Sequence, residues 1–528
     1  MAPSQPKAGP QLATHPFIGI AGVFLGAGIA TLNARLVSVG LVDIRGALGL
    51  GFDEASWIPT ALNMATMFSG VFVVFLNVLY GPRRILLPAV GIFAVTSALL
   101  PFAPNFWLLL AMMVVAGLTS GVFYSLTLTF VLTALPKRLI IFGIAAYAAD
   151  IVFISNAASA IEGWYLGNLS WRWIFWNAAL FTPWMMLCVY FGIPRRSPGD
   201  ARPSWRGLAY LSLGLSLLYG ALDQGERLDW LHSGVIVAML AAGVFLLAAA
   251  LVRRLLHPNP TLSLSFLNSR NIILLGLSIF AFKFVHLATI LLVPGFLGNV
   301  QQYRPLQTGQ ALAWVAVPMF AVVWLVAWLV IYTNSRLILA LGLAIVAVGC
   351  WSLAHLDTSW AGSSFRIVEL WLSVGFACTY IGLVSSIVLE ALEGGALNSA
   401  ANAATFSGFM HFIRIFGGQA GVAAMTIFLS SREKFHSNLV GLHVDAGNWL
   451  TNERIRMLTA ALLPSSSGAE EAQSRAVALI SQQVRAQAYT MAVADCFVLI
   501  GWIVVAYLVL MSFLRPAGIS FKQLRSMQ

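Results

Sequence analysis

The sequence has few charged residues. Asp, Glu, Lys and Arg make up 9% of its 528 residues, whereas a soluble globular protein has about 25%. Hydrophobic residues make up 59%, and the mean hydropathy is +0.85. This composition excludes a soluble globular domain and predicts an all-α polytopic membrane protein. The short alternating segments of a transmembrane β-barrel are missing as well.

Several chemical motifs are also absent. The four cysteines (Cys188, Cys350, Cys378 and Cys496) show no CxxC spacing, which indicates neither a disulfide framework nor a metal site. No GxxxxGK[ST] motif occurs, which argues against an ATP-driven pump. The eight histidines show no metal-ligand or nucleophile spacing, which argues against a membrane enzyme. We therefore expect no cofactor, no metal and no enzymatic activity.

Long apolar runs dominate the chain instead. A spanning helix needs roughly 20 apolar residues, and fourteen runs meet or approach this length. The shortest run is 207–223. No small-residue cleavage site follows the first run, so we interpret it as a retained helix. The predicted spans are 17–42, 56–78, 85–103, 106–134, 139–161, 173–193, 207–223, 233–252, 271–295, 309–332, 337–355, 366–388, 404–429 and 488–512.

The distribution of Lys and Arg predicts the orientation of the chain. An even number of spans puts both termini on one side of the bilayer. With the termini inside, sixteen Lys and Arg lie in inner segments and five lie in short outer segments, as the positive-inside rule requires. We therefore expect cytoplasmic termini. The same bias explains much of the net charge of +11 without a nucleic-acid partner.

One extramembrane segment, residues 430–487, is long and is expected outside. Its end has apolar residues at helical spacing among polar ones: Ala476, Leu479, Ile480 and Val484. A partly helical, solvated loop and a docking surface for another protein both fit this pattern.

Several charged or polar residues fall inside the predicted spans. A charge at the bilayer centre costs at least ~2.5–3.5 kcal/mol, so such groups usually face the protein interior or a wet cavity. Asp150, Lys283 and Arg414 fall near mid-depth, and His286 shares a helix face with Lys283. Glu390 and Asp495 lie nearer the ends of their spans, where interfacial water is in reach.

Asp150 is the acid placed deepest in the N-terminal half of the chain. It fits a structural ion pair, or an acid that carries a proton or contacts substrate, and we expect the second role. Arg35 lies towards the outer end of the first span, two residues after Asn33. It could pair with Asp43 or extend to water. Alternatively, Arg35 makes the transport path positive together with Lys283, His286 and Arg414, which favours neutral or anionic substrates over lipophilic cations.

Six stretches carry a resemblance to a known family. They occur in this order: ASWIPTA (55–61), GPRR (81–84), SWRWIFWN (170–177), LDQGERLDWLHS (222–233), VPGFLGNVQQY (293–303) and HFIRIFGGQAGVA (411–423). Together they resemble the fourteen-span drug:proton antiporter branch of the major facilitator superfamily, the EmrB/QacA type.

The resemblance implies two six-helix bundles, residues 1–193 and 256–528, with two linker helices in 194–255. It also implies a multi-pass protein of the bacterial inner membrane that exports small molecules by alternating access, and a multidrug efflux role. The partners implied are a periplasmic adaptor and an outer-membrane channel. Motif or gating roles would fall on Gly81, Arg83, Arg84, Trp171 and Arg172.

The sequence departs from the family pattern where relatives carry their proton-coupling residues. Asn33 replaces an aspartate, and Arg35 stands where a small residue is usual. Val78 replaces the acid ahead of the GPRR loop, Met113 replaces an arginine, and Glu162 replaces a glycine. We still expect a proton-coupled exporter of amphipathic or aromatic compounds. An uncoupled or adaptor-dependent permease subunit and an importer on the same scaffold are the alternatives.

Overall fold

The computed structural model describes residues 15–134, 139–193, 204–256, 270–393, 400–445 and 447–513, together with Lys522. Within these ranges the regular secondary structure is helical, as the apolar runs predict. The helices are α1 (Pro16–Val39), α2 (Leu41–Leu48), α3 (Phe52–Tyr80), α4 (Pro82–Leu99), α5 (Phe106–Ala134), α6 (Ile140–Asn168), α7 (Trp173–Gly192), α8 (Trp205–Gln224), α9 (Gly234–Leu256), α10 (Arg270–Leu287), α11 (Val293–Asn299), α12 (Pro305–Tyr332), α13 (Ser335–Leu353), α14 (Arg366–Glu393), α15 (Ala400–Gly441), α16 (Trp449–Leu462) and α17 (Ala469–Ser512).

Thirteen spans in the described part of the chain are long and apolar enough to cross a membrane. A π-helical turn, Ala288–Leu292, joins α10 to α11, so these two helices form one span. The helix α8 matches the predicted run 207–223 and is the natural fourteenth span, although its polar residues keep it below the hydropathy of the others. A helix satisfies its own backbone hydrogen bonds, which is why apolar runs adopt this form in lipid.

Consecutive spans run in opposite directions, so their ends alternate between two faces of the molecule. We call the face that holds Tyr80 and Tyr332 the basal face, and the face that holds Asn168 and Pro305 the apical face. Several turns are short because the next helix starts at once. At the basal face, Gly81 has a φ of 78° and ends α3, and Pro82 starts α4, where the missing N–H of proline is not needed.

Two apolar cores hold the helices together. One lies among α1, α3, α4, α5 and α7 and includes Phe93, Phe123 and Phe175. The other lies among α10 to α15 and α17, and one face of α6 joins it through residues such as Ile144. The linker helices α8 and α9 pack on each other, and α8 also packs on α3 and α15. The exact domain limits stay a prediction, because residues 194–203 and 257–269 lie outside the described ranges.

The segment 430–487 is more helical than a solvated loop. The helix α15 continues past residue 429 to Gly441, and α17 already begins at Ala469. Both helices are therefore longer than the predicted spans 404–429 and 488–512. We call residues 430–487 the apical projection. Its helices extend roughly 18–29 Å beyond the predicted spans, at 1.5 Å per residue.

The apical projection buries part of its predicted apolar face. Ala476 and Ile480 are buried, Val484 is partly buried, and Leu479 is exposed.

Half of the sixteen Lys and Arg residues behind the predicted orientation lie outside the described residues: Lys7, Lys137, Arg138, Arg195, Arg196, Arg202, Arg515 and Arg525.

Candidate functional site

A layer of charged side chains lies at mid-depth, where α1 and α6 face α10 and α15. Asp150 lies ten residues into α6, about 15 Å from its start, and Arg414 lies fourteen residues into α15. Neighbouring members interact electrostatically: Asp150 with Arg414, Arg414 with Lys283, and Lys283 with His286. His286 in turn interacts with Arg35 of α1. We call Arg35, Asp150, Lys283, His286 and Arg414 the charged layer.

The carboxyl group of Asp150 lies against α1. A Cβ atom built on Gly28 would lie 2.8 Å from Oδ1 of Asp150, so the glycine provides the room for this acid. The Oδ2 atom is buried and has no hydrogen-bond donor among the described residues. The carboxyl group therefore receives its support from the charge of Arg414. This geometry agrees with an ion pair and equally with an acid that accepts a proton.

Lys283 and His286 share a face of α10, as their spacing predicts, but their surroundings differ. Lys283 is partly buried, and no acid lies within 4.0 Å of its ammonium group in the described part of the chain. His286 is 2% exposed. Its ring stacks on Phe282 with centroids 5.9 Å apart and meets the ring of Phe376 at 5.3 Å. His286 thus belongs to the packing between α10 and α14, and Lys283 is the group of this pair that can reach a substrate.

Arg35 contacts a backbone carbonyl group, and no acid pairs with it among the described residues. Its Nη2 atom donates a long hydrogen bond of 3.5 Å to the carbonyl oxygen of Ile290, within the π-helical turn. Its Nε atom is buried without an acceptor, and no ion pair of Arg35 is found among the described residues. The predicted pairing with Asp43 is therefore absent there. Asn33, 2% exposed, also has a buried Oδ1 atom without a donor.

The charged layer has more positive than negative groups. Arg35, Lys283 and Arg414 are basic side chains, and Asp150 is the acid found beside them in the described ranges. Cations in a low-dielectric setting create a positive potential that attracts anions and repels other cations.

The motif residues lie away from this layer. Arg83 donates to the carbonyl oxygen of Ile193 at 3.5 Å and lies over the ring of Tyr190 at 4.5 Å, both at the basal end of α7. Arg84 is exposed. At the apical face Arg172 lies over Phe102 at 5.7 Å, and Trp171 packs edge-on against Phe175. These residues shape helix ends and do not line the charged layer.

Below the charged layer, towards the basal face, α15 docks on α3 and α5. The Nδ1 atom of His411 lies 3.1 Å from the hydroxyl of Ser125, and the hydroxyl of Ser407 donates to the carbonyl oxygen of Ser125 at 2.8 Å. A Cβ atom on Gly70 of α3 would fall inside the ring of His411, so this glycine forms a notch for the imidazole. We call this contact the basal seam.

Above the charged layer, α6 packs directly on α12. A Cβ atom on Gly309 would lie within 3.0 Å of the backbone of Ala160, and one on Gly163 would lie within 3.0 Å of the backbone of Leu306. Backbones approach this closely only where small residues face each other. We call this contact the apical seam. Neither seam could be predicted from the sequence, because single glycines inside an apolar run carry no signal of what packs on them.

Two helix sets, one with α1, α3, α5 and α6 and the other with α10, α12 and α15, meet around a buried charged layer. Close contacts lie above and below this layer. This arrangement is typical of a membrane carrier. A match to the Major Facilitator Superfamily model over residues 23–418 covers most of the chain. The chain therefore belongs to this superfamily of transporters.

Individual relatives agree with this assignment. The multidrug export protein EmrB of Haemophilus influenzae is 22% identical over 488 residues, which cover 92% of this chain and 93% of the relative. The fatty acid resistance protein FarB of Neisseria gonorrhoeae is 23% identical over 434 residues, 80% of this chain and 84% of the relative. The proton:xylose symporter XylE superposes with a TM-score of 0.58 at 12% identity, covering 97% and 99% of the two chains. The predicted resemblance to EmrB-type permeases is confirmed, and this chain is a divergent member of that group.

Proposed function

We propose that this transporter exports amphipathic or aromatic small molecules with a neutral or negative head group. The observation behind the proposal is the charged layer, in which three basic side chains meet one carboxyl group. A lipophilic cation that entered this layer would meet Arg35 and Lys283, and neither has an acid within ion-pair distance in the described part of the chain. An anion would instead provide the charge that these groups lack.

The names of two relatives support the same substrate class. One is a multidrug export protein and another is a fatty acid resistance protein, whose name implies an amphipathic carboxylate. Export then proceeds by alternating access: the basal seam opens to the cytoplasm for loading, and the apical seam opens to the other side for release. This orientation, with both termini in the cytoplasm of a bacterial inner membrane, is part of the proposal.

Proton coupling in this proposal rests on Asp150. The buried Oδ2 atom of Asp150 has no hydrogen-bond donor among the described residues, so this carboxyl group can exchange a proton at little structural cost. Its neighbour Arg414 comes from the opposite helix set, so the charge of Asp150 affects the attraction between the sets. Asn33 stands where relatives carry an aspartate in the first span, and its amide group cannot carry a proton.

The apical projection is the part of the molecule that suits a periplasmic adaptor, which would connect to an outer-membrane channel. Its exposed apolar side chains include Leu442, Trp449, Leu450 and Met457, each more than half exposed. A helical surface of this kind favours a partner that packs side by side with it.

The test is proton flux in proteoliposomes under an imposed pH gradient, with a panel of organic acids, neutral dyes and cationic dyes. Substrate-dependent flux with organic acids that disappears in Asp150→Asn supports the full proposal. Transport of organic acids without proton movement supports the uncoupled alternative. Transport of cationic dyes alone contradicts the proposed substrate class, and accumulation in the direction of import contradicts export.

A further inference from the structure

A pair of carboxyl groups, one of them fully buried, lies near the apical end of α6, apart from the charged layer. Glu162 has no exposed surface, and neither of its carboxyl oxygens has a hydrogen-bond donor among the described residues. The carboxyl group of Asp43, on α2, lies within side-chain hydrogen-bonding reach of it. The transport role argued above uses neither residue.

No cation compensates this pair in the described part of the chain. Neither carboxyl group has an ion pair within 4.0 Å there, because Arg35 reaches towards Ile290 instead. On the α1 side the neighbour is Gly40, whose Cβ atom would lie 3.4 Å from Oε1 of Glu162. On the α12 side Arg304 precedes the helix and is exposed.

Polar groups of α6 and α7 also lie near this end of α6. The hydroxyl of Tyr165, one turn after Glu162, donates to Oδ1 of Asn177 at 2.7 Å. The Nδ2 atom of Asn177 is buried without an acceptor. This amide nitrogen gives the surroundings of the pair the capacity for a further hydrogen bond, but it adds no charge.

Two ionised carboxylates side by side repel each other and cannot donate a hydrogen bond. With one proton between them, one group donates to the other and the pair carries a single charge. We propose that Glu162 and Asp43 form a proton-binding site near the apical face, which holds one shared proton while the apical seam is closed.

The position of the pair gives the proton a mechanical consequence. Glu162 directly precedes Gly163, whose backbone meets Leu306 of α12 in the apical seam. Loss of the shared proton forces the carboxylates to separate or to reach water, and α6 carries Glu162. A movement of α6 that relieves the repulsion therefore also opens the seam.

The test measures the apical opening as a function of pH, without transport. Nitroxide labels are attached at Leu169→Cys and Ile367→Cys, two exposed apical sites, after replacement of the four free cysteines. Double electron–electron resonance then gives the ratio of open to closed populations. Between about pH 5 and about pH 8.5 we expect this ratio to rise about tenfold in the parent protein, and less than about twofold in Glu162→Gln.

Controls separate this site from the charged layer. Asp150→Asn changes the attraction between the helix sets and so shifts the ratio of open to closed at every pH, but the ratio should still rise about tenfold between about pH 5 and about pH 8.5. The two proposals therefore fail independently. Asp43→Asn, at a partly exposed position, should also weaken the pH response of the apical opening. This variant replaces Glu162→Gln in the test if Glu162→Gln does not fold. Replacement of Na⁺ by choline should change nothing. A parent protein without a pH response, a full response in Glu162→Gln, or a response that needs Na⁺ would overturn the proposal.

Discussion

Substitution Gly309→Ala should open the apical face of the molecule. The added Cβ atom would lie within 3.0 Å of three atoms of Ala160, two of which are backbone atoms. Ordinary contacts begin near 3.4 Å, so α6 and α12 must separate by roughly 1 Å before the methyl group fits. No side-chain rotation can relieve a clash with backbone.

The size of the effect follows from the cost of overpacking. Extra methyl groups in a packed interface cost about 1–3 kcal/mol. If the cost applies only to the closed apical seam, the equilibrium between closed and open moves roughly 5- to 150-fold towards open. The global stability of the protein changes much less, because both bundles stay folded in the open state.

The assay uses the apical label pair Leu169→Cys and Ile367→Cys, with a basal pair at Tyr80→Cys and Tyr332→Cys for comparison. Gly309→Ala should lengthen the apical distance and leave the basal distance unchanged or shorter. Gly167→Ala is the matched control, because it lies one turn after Gly163 on α6 and its Cβ atom would meet nothing within 4 Å. Equal effects of the two alanines, or opening at the basal pair, would refute the reasoning.

Three further outcomes are expected. Lys283→Met should raise KM for organic acids about tenfold through loss of one charge contact. The KM for neutral dyes should not change, and Lys283→Arg should behave like the parent protein. An equal rise in KM for both substrate classes would contradict an anion contact. Gly70→Ala should expel the ring of His411 from its notch and lengthen the basal label distance, and an unchanged basal distance would count against the basal seam. Asp495 accepts a hydrogen bond from Arg432 at 2.6 Å and contacts His436 at 2.7 Å. Because the side chains of Asp495 and Arg432 are about one-third exposed, Asp495→Asn should cost ~1–2 kcal/mol of local stability, and the backbone amides of α15 after Arg432 should exchange hydrogen about tenfold faster. Unchanged hydrogen exchange would show that the pair does not support the apical projection.

The sequence predicts the spans because lipid requires long apolar helices. A charged group inside an apolar run usually faces the protein interior or a wet cavity, so Asp150, Lys283 and Arg414 are expected inside the protein at similar depth. Which of them contact each other depends on helix packing, which the sequence does not show. The lengths of α15 and α17 could not be predicted in the same way. Their apolar runs end where the membrane ends, but the helices continue through polar residues.

Other features depend on packing that leaves no mark in a single sequence. The contact of Arg35 needs the carbonyl group of a π-helical turn, which is a backbone feature of α10 and α11. Glu369 was not singled out because it lies near the end of its predicted span, yet it has no exposed surface and no hydrogen-bond donor among the described residues. Burial of such groups depends on which helices surround them.

The resemblance implies that relatives use the acid at the position of Val78 to latch the two bundles. Here Arg83 instead binds the carbonyl end of α7 within its own bundle. On the other half of the basal face, Glu390 accepts from Asn271 at 2.9 Å and pairs with Arg336 at 3.6 Å, again within one helix set.

The contact between the helix sets at the basal side therefore rests on the basal seam. Hydrogen bonds in this seam join Ser125 to His411 and Ser407, and a neutral hydrogen bond contributes only about 0.5–1.5 kcal/mol. A seam held by such bonds and by the fit of a ring against Gly70 breaks at low cost. A carrier that opens this side in every cycle can thus work without the acidic latch, provided that these neutral contacts form and break together.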